Sequence, residues 1–73
     1  MGYEVQFFQL GGGSDLPEQC QSYLEAVQVA RNARDSYLAA HPDRGLIKRS
    51  AEHKWQAIRA DGIVEFQARI SMY

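Results

Sequence analysis

Histidine, cysteine and carboxylate side chains are the groups from which a small protein would build a catalytic or metal site. The two histidines, His41 and His53, are far apart in sequence, and no His-x-x-x-His pair or equivalent exists. Glu52 adjoins His53, but neighbouring residues on a helix point in different directions. Cys20 is the single cysteine, which excludes an intramolecular disulfide and a multi-cysteine zinc site. No nucleophile-elbow motif is present. The sequence therefore predicts a non-enzymatic protein and indicates no metal and no cofactor.

The most specific short pattern is His41-Pro42-Asp43-Arg44-Gly45, which is followed by Ala51-Glu52-His53-Lys54-Trp55-Gln56-Ala57-Ile58. One interpretation of this pattern is purely structural. Pro42 disfavours helical backbone at the residue before it and so ends a helix, while Asp43 hydrogen-bonds the backbone of the turn and Trp55 belongs to the core. The other interpretation is that the turn itself binds a partner.

The same pattern resembles the helix-HPD-helix segment of the J-domain family of DnaJ-type co-chaperones. The resemblance covers residues 31–60, and the interval from His41 to Trp55 equals the usual interval between the family's histidine and its aromatic residue. It implies two antiparallel helices joined by the loop, and stimulation of ATP hydrolysis by a DnaK-type chaperone. The residues that the resemblance implies for this contact are His41, Pro42 and Asp43, with charge attraction from Arg31 and Arg34.

Charge is unevenly distributed along the chain although the net charge is only −1. Residues 1–30 hold four acids and no base, whereas residues 31–59 hold seven bases and three acids. A basic segment of this kind favours an acidic protein surface or phosphate as partner. A protein partner is the favoured hypothesis, and the candidate binding residues are His41, Pro42, Asp43, Arg44, Arg31, Arg34, Lys48 and Arg49. The alternative is a nucleic acid bound by the basic 44–59 segment through Lys48, Arg49, Lys54 and Arg59.

The elements that must position these residues begin with an alternating strand over residues 3–10 and a glycine-rich loop over residues 11–14. Asp15 and Glu18, with Pro17 between them, resemble a capping box and predict the start of a long helix. Apolar residues at steps of three and four extend this helix to about Ala40, where the His41-Pro42 sequence ends it. Residues 63–73 alternate again and predict a half-buried strand.

Residues 46–60 have two interpretations. As a helix they would align a single apolar stripe of Ile47, Ala51, Trp55 and Ile58. As a strand they would form a hairpin through a type I′ turn at Asp61-Gly62, which pairs Trp55 with Ala68 and Ala57 with Phe66. The helix is preferred because Ile58 is the only β-branched residue between Ser50 and Ala60.

Together these elements predict a single α+β domain over residues 1–73, with a helical hairpin packed on a small sheet in the order β-α-α-β. The alternative order is β-α-β-β. A hydrophobic content of 45 % and a charged content of 23 % are typical of a globular domain, and the longest apolar runs are too short for a membrane helix or a signal peptide. We expect a cytoplasmic protein-interaction module that acts as an adaptor or an inhibitor of a larger machine. Phages and mobile elements carry small proteins of this type. A homodimer is compatible with so small a core.

Overall fold

The computed structural model describes residues 2–12 and 16–73. In these ranges the chain forms β1 (Tyr3–Gln9), β2 (Glu18–Cys20), α1 (Tyr23–Ala40), a 3₁₀ turn (Pro42–Arg44), β3 (Ile47–Ala51), β4 (Lys54–Ile58) and β5 (Val64–Met72). The strands make one antiparallel sheet in the order β2-β1-β5-β4-β3. The expected α+β class is therefore confirmed.

The second helix expected over residues 46–60 is wrong, because this segment forms β3, a two-residue turn and β4. The pairs Trp55–Ala68 and Ala57–Phe66, which belong to the alternative interpretation, are present. Helix propensities of ordinary residues differ by at most about 0.7 kcal/mol per residue. Pairing with β5 instead buries Ala57 completely and packs Trp55 against the core. This long-range packing outweighs the local preference for a helix.

The connection between β4 and β5 differs from the expected type I′ turn at Asp61-Gly62. The Arg59 N–H donates to the carbonyl of Ile63 at 2.8 Å, and the Gly62 N–H donates to the carbonyl of Arg59 at 2.9 Å. Gly62 has a φ of 92°, whereas Asp61 has no positive φ. These features are typical of a three-residue hairpin loop, in which a type I turn is followed by a left-handed glycine.

The helix begins later than the Asp15-Glu18 pattern predicts. Asp15 lies outside the described residues, and Glu18 belongs to β2, which pairs with the first half of β1. Ser22 is the N-cap of α1, and its hydroxyl accepts a hydrogen bond from the Glu25 N–H at 3.1 Å. The Ser22–Glu25 spacing is itself that of a capping box, so the sequence contained two start signals and the second one is used. No helix in the described ranges is long and apolar enough to cross a bilayer.

The core lies between α1 and one face of the sheet. Ala26 and Ala30 on α1 are fully buried, and their small size lets the helix lie close to the strands. The buried hydrophobic cluster consists of Val5, Cys20, Ala26, Ala30, Tyr37, Ala57, Phe66, Ala68 and Ile70. Because side chains alternate along a strand, the residues of β1, β3, β4 and β5 that lie between those facing α1 point to the opposite face. Within the described ranges all of the secondary structure is accounted for by this sheet, α1 and the 3₁₀ turn, so no helix or second sheet covers that face.

Candidate functional site

The segment from His41 to Arg49 leads from the end of α1 to the edge strand β3. α1 ends at Ala40, as the His41-Pro42 sequence predicts, and the His41 N–H donates to the carbonyl of Leu38 at 3.2 Å. The imidazole of His41 is half-buried and packs on the ring of Tyr37, with centroids 4.5 Å apart. Pro42 and Asp43 are exposed on the 3₁₀ turn. The turn is therefore defined by backbone hydrogen bonding and aromatic packing on its helix side.

A buried carboxylate, Glu65, anchors this turn to the sheet. The residue is only 2 % exposed. Its Oε1 accepts hydrogen bonds from the Tyr37 hydroxyl at 2.9 Å and from Arg44 Nη1 at 2.8 Å, and its Oε2 accepts one from Arg59 Nε at 2.6 Å. These three donors come from α1, from the 3₁₀ turn and from the β4–β5 loop. One side chain thus connects three separate parts of the fold.

Glu65 reaches this position through an irregularity in the β4–β5 ladder. Ala57 pairs with Phe66, but the next residue, Ile58, pairs with Val64, so Glu65 is an extra residue in β5. Such a bulge redirects a side chain that regular alternation would have pointed away from the helix. Sequence reasoning missed Glu65 because the alternating pattern of residues 63–73 places it on the polar face. Only the pairing register reveals its true environment.

The electrostatics of the cluster follow from these contacts. Hydrogen bonds from Arg59, Tyr37 and Arg44 lower the pKa of Glu65 to about 2, because they stabilise the carboxylate more than burial destabilises it. The pKa of Tyr37 is raised, first by burial and then by its hydrogen bond to Glu65. At neutral pH the cluster therefore holds a charged carboxylate between two arginines, with a neutral phenol donating to it.

The two arginines expected on the binding surface of the helix are in different environments. Arg31 is exposed on α1. Arg34 is 5 % exposed; its Nη1 donates to the Ser50 hydroxyl at 3.1 Å, and its Nη2 lies 3.1 Å from Asp35 Oδ1. The expected surface position of Arg34 is therefore corrected, since its side chain is inside the protein. Arg34 supports β3 from the helix side instead of facing a partner.

Strand β3 forms one edge of the sheet, and all five of its residues are exposed. It carries two of the candidate binding residues, Lys48 and Arg49, and no acid. An edge strand of this length presents unpaired backbone N–H and C=O groups to solvent, which makes it a template for another extended chain. Of the candidate binding residues, those of the 3₁₀ turn and those of β3 therefore lie on one continuous segment and are exposed.

The backbone groups that β3 offers follow from the register of its neighbours. The Ile70 N–H donates to the carbonyl of His53 at 2.8 Å, which makes Lys54–Arg69 a non-hydrogen-bonded pair between β4 and β5. The backbone groups of Lys54 therefore point the other way, to its partner Ala51 on β3. Because backbone groups point alternately to either side of a strand, every second residue of β3 makes no backbone hydrogen bond to β4. The residues whose N–H and C=O groups point outward are Lys48 and Ser50.

The sheet face opposite α1 carries a polar and aromatic surface that we call the open face. The strand registers place Phe8, Gln67, Gln56 and Arg49 in one row across β1, β5, β4 and β3. Gln56 Nε2 donates to Gln67 Oε1 at 2.7 Å, and Phe8 is 48 % exposed. The adjacent row consists of Gln6, Arg69, Lys54 and Ala51. Residues from four strands that are distant in sequence therefore meet on one surface.

Groups that could support catalysis are scattered. The pKa of the buried Cys20 thiol is raised by burial and by nearby Glu25 and Glu18, which keeps it protonated and unreactive. His53 has a left-handed backbone with a φ of 61°, and its Nδ1 lies 2.9 Å from the Tyr23 hydroxyl. Among residues 2–12 and 16–73, no three His, Cys, Asp or Glu side chains are grouped as metal ligands.

Comparisons with protein-family models, with curated proteins and with solved structures found no match. The helical hairpin that the J-domain resemblance implies is not formed, because the residues after the 3₁₀ turn make β3 and β4. His41, Pro42 and Asp43 therefore follow a helix but do not precede one. The β3 edge follows directly after the 3₁₀ turn that contains Pro42 and Asp43.

Proposed function

We propose that this protein is a non-enzymatic protein-interaction module that binds an extended, acidic segment of a partner protein as an additional strand beside β3. The observation that carries the proposal is the exposed edge of β3, with outward backbone groups at Lys48 and Ser50. Backbone hydrogen bonds would supply affinity in this mode of binding. The cationic side chains of Lys48 and Arg49 would select acidic residues on the partner.

A partner with acidic residues fits this edge better than a second copy of the chain does. If two β3 strands paired antiparallel about their centres, Arg49 would lie opposite Arg49 of the other copy. A parallel pair would likewise bring together identical cationic side chains. Like charges placed directly opposite one another destabilise a strand pair. The charge of β3 therefore disfavours homodimerisation through this edge and favours a different, acidic chain.

The 3₁₀ turn holds in place the chain that leads into β3, and this favours binding at the β3 edge. Arg44 is held by Glu65, and Gly45, with a φ of 62°, redirects the chain into the strand. Arg34 on α1 stabilises β3 through its hydrogen bond to the Ser50 hydroxyl. A preorganised edge loses less conformational entropy when a partner segment binds. The single, buried cysteine is compatible with action in a reducing compartment such as the cytoplasm.

The proposal can be tested without knowing the partner. A library of random decapeptides displayed on phage is selected against the folded protein, and enriched sequences are synthesised with a fluorophore. We expect enriched peptides to combine Asp or Glu with alternating apolar residues. In fluorescence anisotropy, Lys48→Pro should weaken binding by about tenfold, because it removes an outward N–H that makes no ladder hydrogen bond. Lys48→Ala keeps that N–H and should weaken binding less.

Circular dichroism of each variant reports whether the fold is retained. Should Lys48→Pro fail to fold, Arg49→Glu provides the second test, since it should weaken binding of acidic peptides and leave the strand intact. Enrichment of neutral or basic peptides would contradict the proposal. So would peptides that bind Lys48→Pro and Arg49→Glu as tightly as the original protein.

A further inference from the structure

We propose that the open face binds single-stranded nucleic acid, with Phe8 stacking on a base and Arg49, Lys54 and Arg69 contacting phosphates. This inference goes beyond the proposed strand addition because it concerns a face of the sheet and not its edge. The two surfaces share Arg49 alone. Mutations outside Arg49 can therefore affect the binding of a single-stranded nucleic acid and the binding of a partner segment separately.

The first argument is the position of Phe8. Its ring is about half exposed on a strand whose other aromatic residues, Tyr3 and Phe7, pack against the core. Exposed aromatic rings on sheets offer flat surfaces on which unpaired bases stack. In the same row, the Gln67 and Gln56 side chains present amide donors and acceptors that can bond to base edges. With strands about 4.8 Å apart, this row of four residues spans roughly 14 Å, enough for two or three nucleotides.

The second argument is the distribution of charge. Arg69 and Lys54 are cross-strand partners in the row next to that of Phe8, at roughly 7 Å along the strands. Among the described residues, the salt bridges involve Arg34, Arg44, His53 and Arg59, so these two cations and Arg49 have no carboxylate partner. The acid on this face, Glu4, lies beyond them and accepts a hydrogen bond from Gln6 at 3.2 Å. The unpaired cations are thus available to phosphates.

The shape of the surface favours a single strand over a duplex. In the described structure α1 lies on the opposite side of the sheet, so it cannot enter a groove while the open face is in contact. In a duplex the bases are stacked on one another and cannot reach Phe8. The open face therefore suits bases that are already unstacked.

The experiment measures fluorescence anisotropy with labelled dT12, rU12 and a 12-base-pair duplex at 50 mM salt. We expect at least one single strand to bind more tightly than the duplex. With three phosphate contacts and a slope of about −0.7 per contact, an increase from 50 to 200 mM salt should weaken binding by roughly 20-fold. Phe8→Ala should weaken it by about tenfold, and Phe8→Trp should retain it because the stacking surface is kept. Arg69→Gln should weaken binding and reduce the salt slope by about 0.7.

Two controls make the result decisive. Arg31→Gln removes an exposed cation from α1 and should leave binding unchanged. Lys48→Pro should do the same, because Lys48 pairs with the core residue Ala57 and so lies on the α1 side of the sheet and not on the open face. Absence of binding at 50 mM salt would overturn the inference, as would equal affinities of Phe8→Ala and Phe8→Trp. If a labelled oligoglutamate bound as tightly as the single strands, the open face would be a site for an acidic protein instead. If the unmodified protein bound single strands but no peptide was enriched, the strand-addition proposal alone would be rejected.

Discussion

Replacing Glu65 with glutamine is expected to lower the thermal midpoint of unfolding by on the order of 5–10 °C. Glutamine has nearly the same size, so the effect reports the lost charge and the lost hydrogen-bond acceptor and not a change in packing. The substitution leaves Arg44 and Arg59 without their carboxylate, and one of the three donors faces an amide nitrogen instead of an acceptor oxygen. Differential scanning calorimetry at pH 7 measures the midpoint.

The same carboxylate predicts how stability depends on pH. In the folded protein the pKa of Glu65 is about 2, compared with an ordinary value of 4.5 in the unfolded chain. A lowered folded-state pKa stabilises the protein above the unfolded value, so this contribution is complete above pH 4.5. It is lost as the pH falls from 4.5 towards 2. Urea unfolding at a series of pH values should show this loss in the original protein.

A matched pair of variants separates Glu65 from the other acids. Glu65→Gln should remove most of the stability change between pH 4.5 and 2, whereas Glu18→Gln, at an exposed position on β2, should leave that change in place. Hydrogen exchange offers an independent readout, because release of Arg44 should speed amide exchange in residues 43–45. If Glu65→Gln and the original protein lost stability in parallel across this range, the carboxylate would not be the anchor of the turn.

The parts of the fold that the sequence predicted are those determined by local patterns. Alternation over residues 3–10 and 63–73 gave β1 and β5 nearly to their ends, and Pro42 gave the end of α1. Residues 46–60 failed because their apolar spacing suits a helix as well as a strand. Their state depends on β5, with which β4 pairs, and a periodicity within the segment contains no information about that partner.

The candidate site was predictable to a similar extent. Exposure of Lys48 and Arg49 followed from their charge, but the burial of Arg34 did not, because it depends on Ser50 lying opposite α1. The role of Glu65 depends on a bulge, and no short-range pattern announces which residue of a strand will be the extra one. The open face combines four strands, so its rows exist only once the register is known. Features that depend on register were therefore the ones that sequence reasoning missed.

Phe66→Ala is expected to destabilise the protein by about 3–5 kcal/mol, which is the usual cost of removing a buried phenylalanine. Phe66 is 6 % exposed. Its ring stacks on that of Tyr37 with centroids 5.1 Å apart, and it packs beside the ring of Phe7 with centroids 6.3 Å apart. A domain of this length is stable by about 4–11 kcal/mol in total, so the substitution should remove a large fraction of the stability and clearly lower the urea midpoint.

The matched control for Phe66→Ala is Phe8→Ala, which removes the same atoms from the open face, where the ring is already half exposed. Its cost should be about 1 kcal/mol or less, because less surface returns to water. Urea unfolding at 25 °C followed by tryptophan fluorescence measures both variants through Trp55, which packs against the core. Equal destabilisation would mean that the face of β1 carrying Phe8 is covered in solution and that α1 does not define the only core. The expected difference of several-fold in cost instead places one phenylalanine in the core and leaves the other accessible to a ligand.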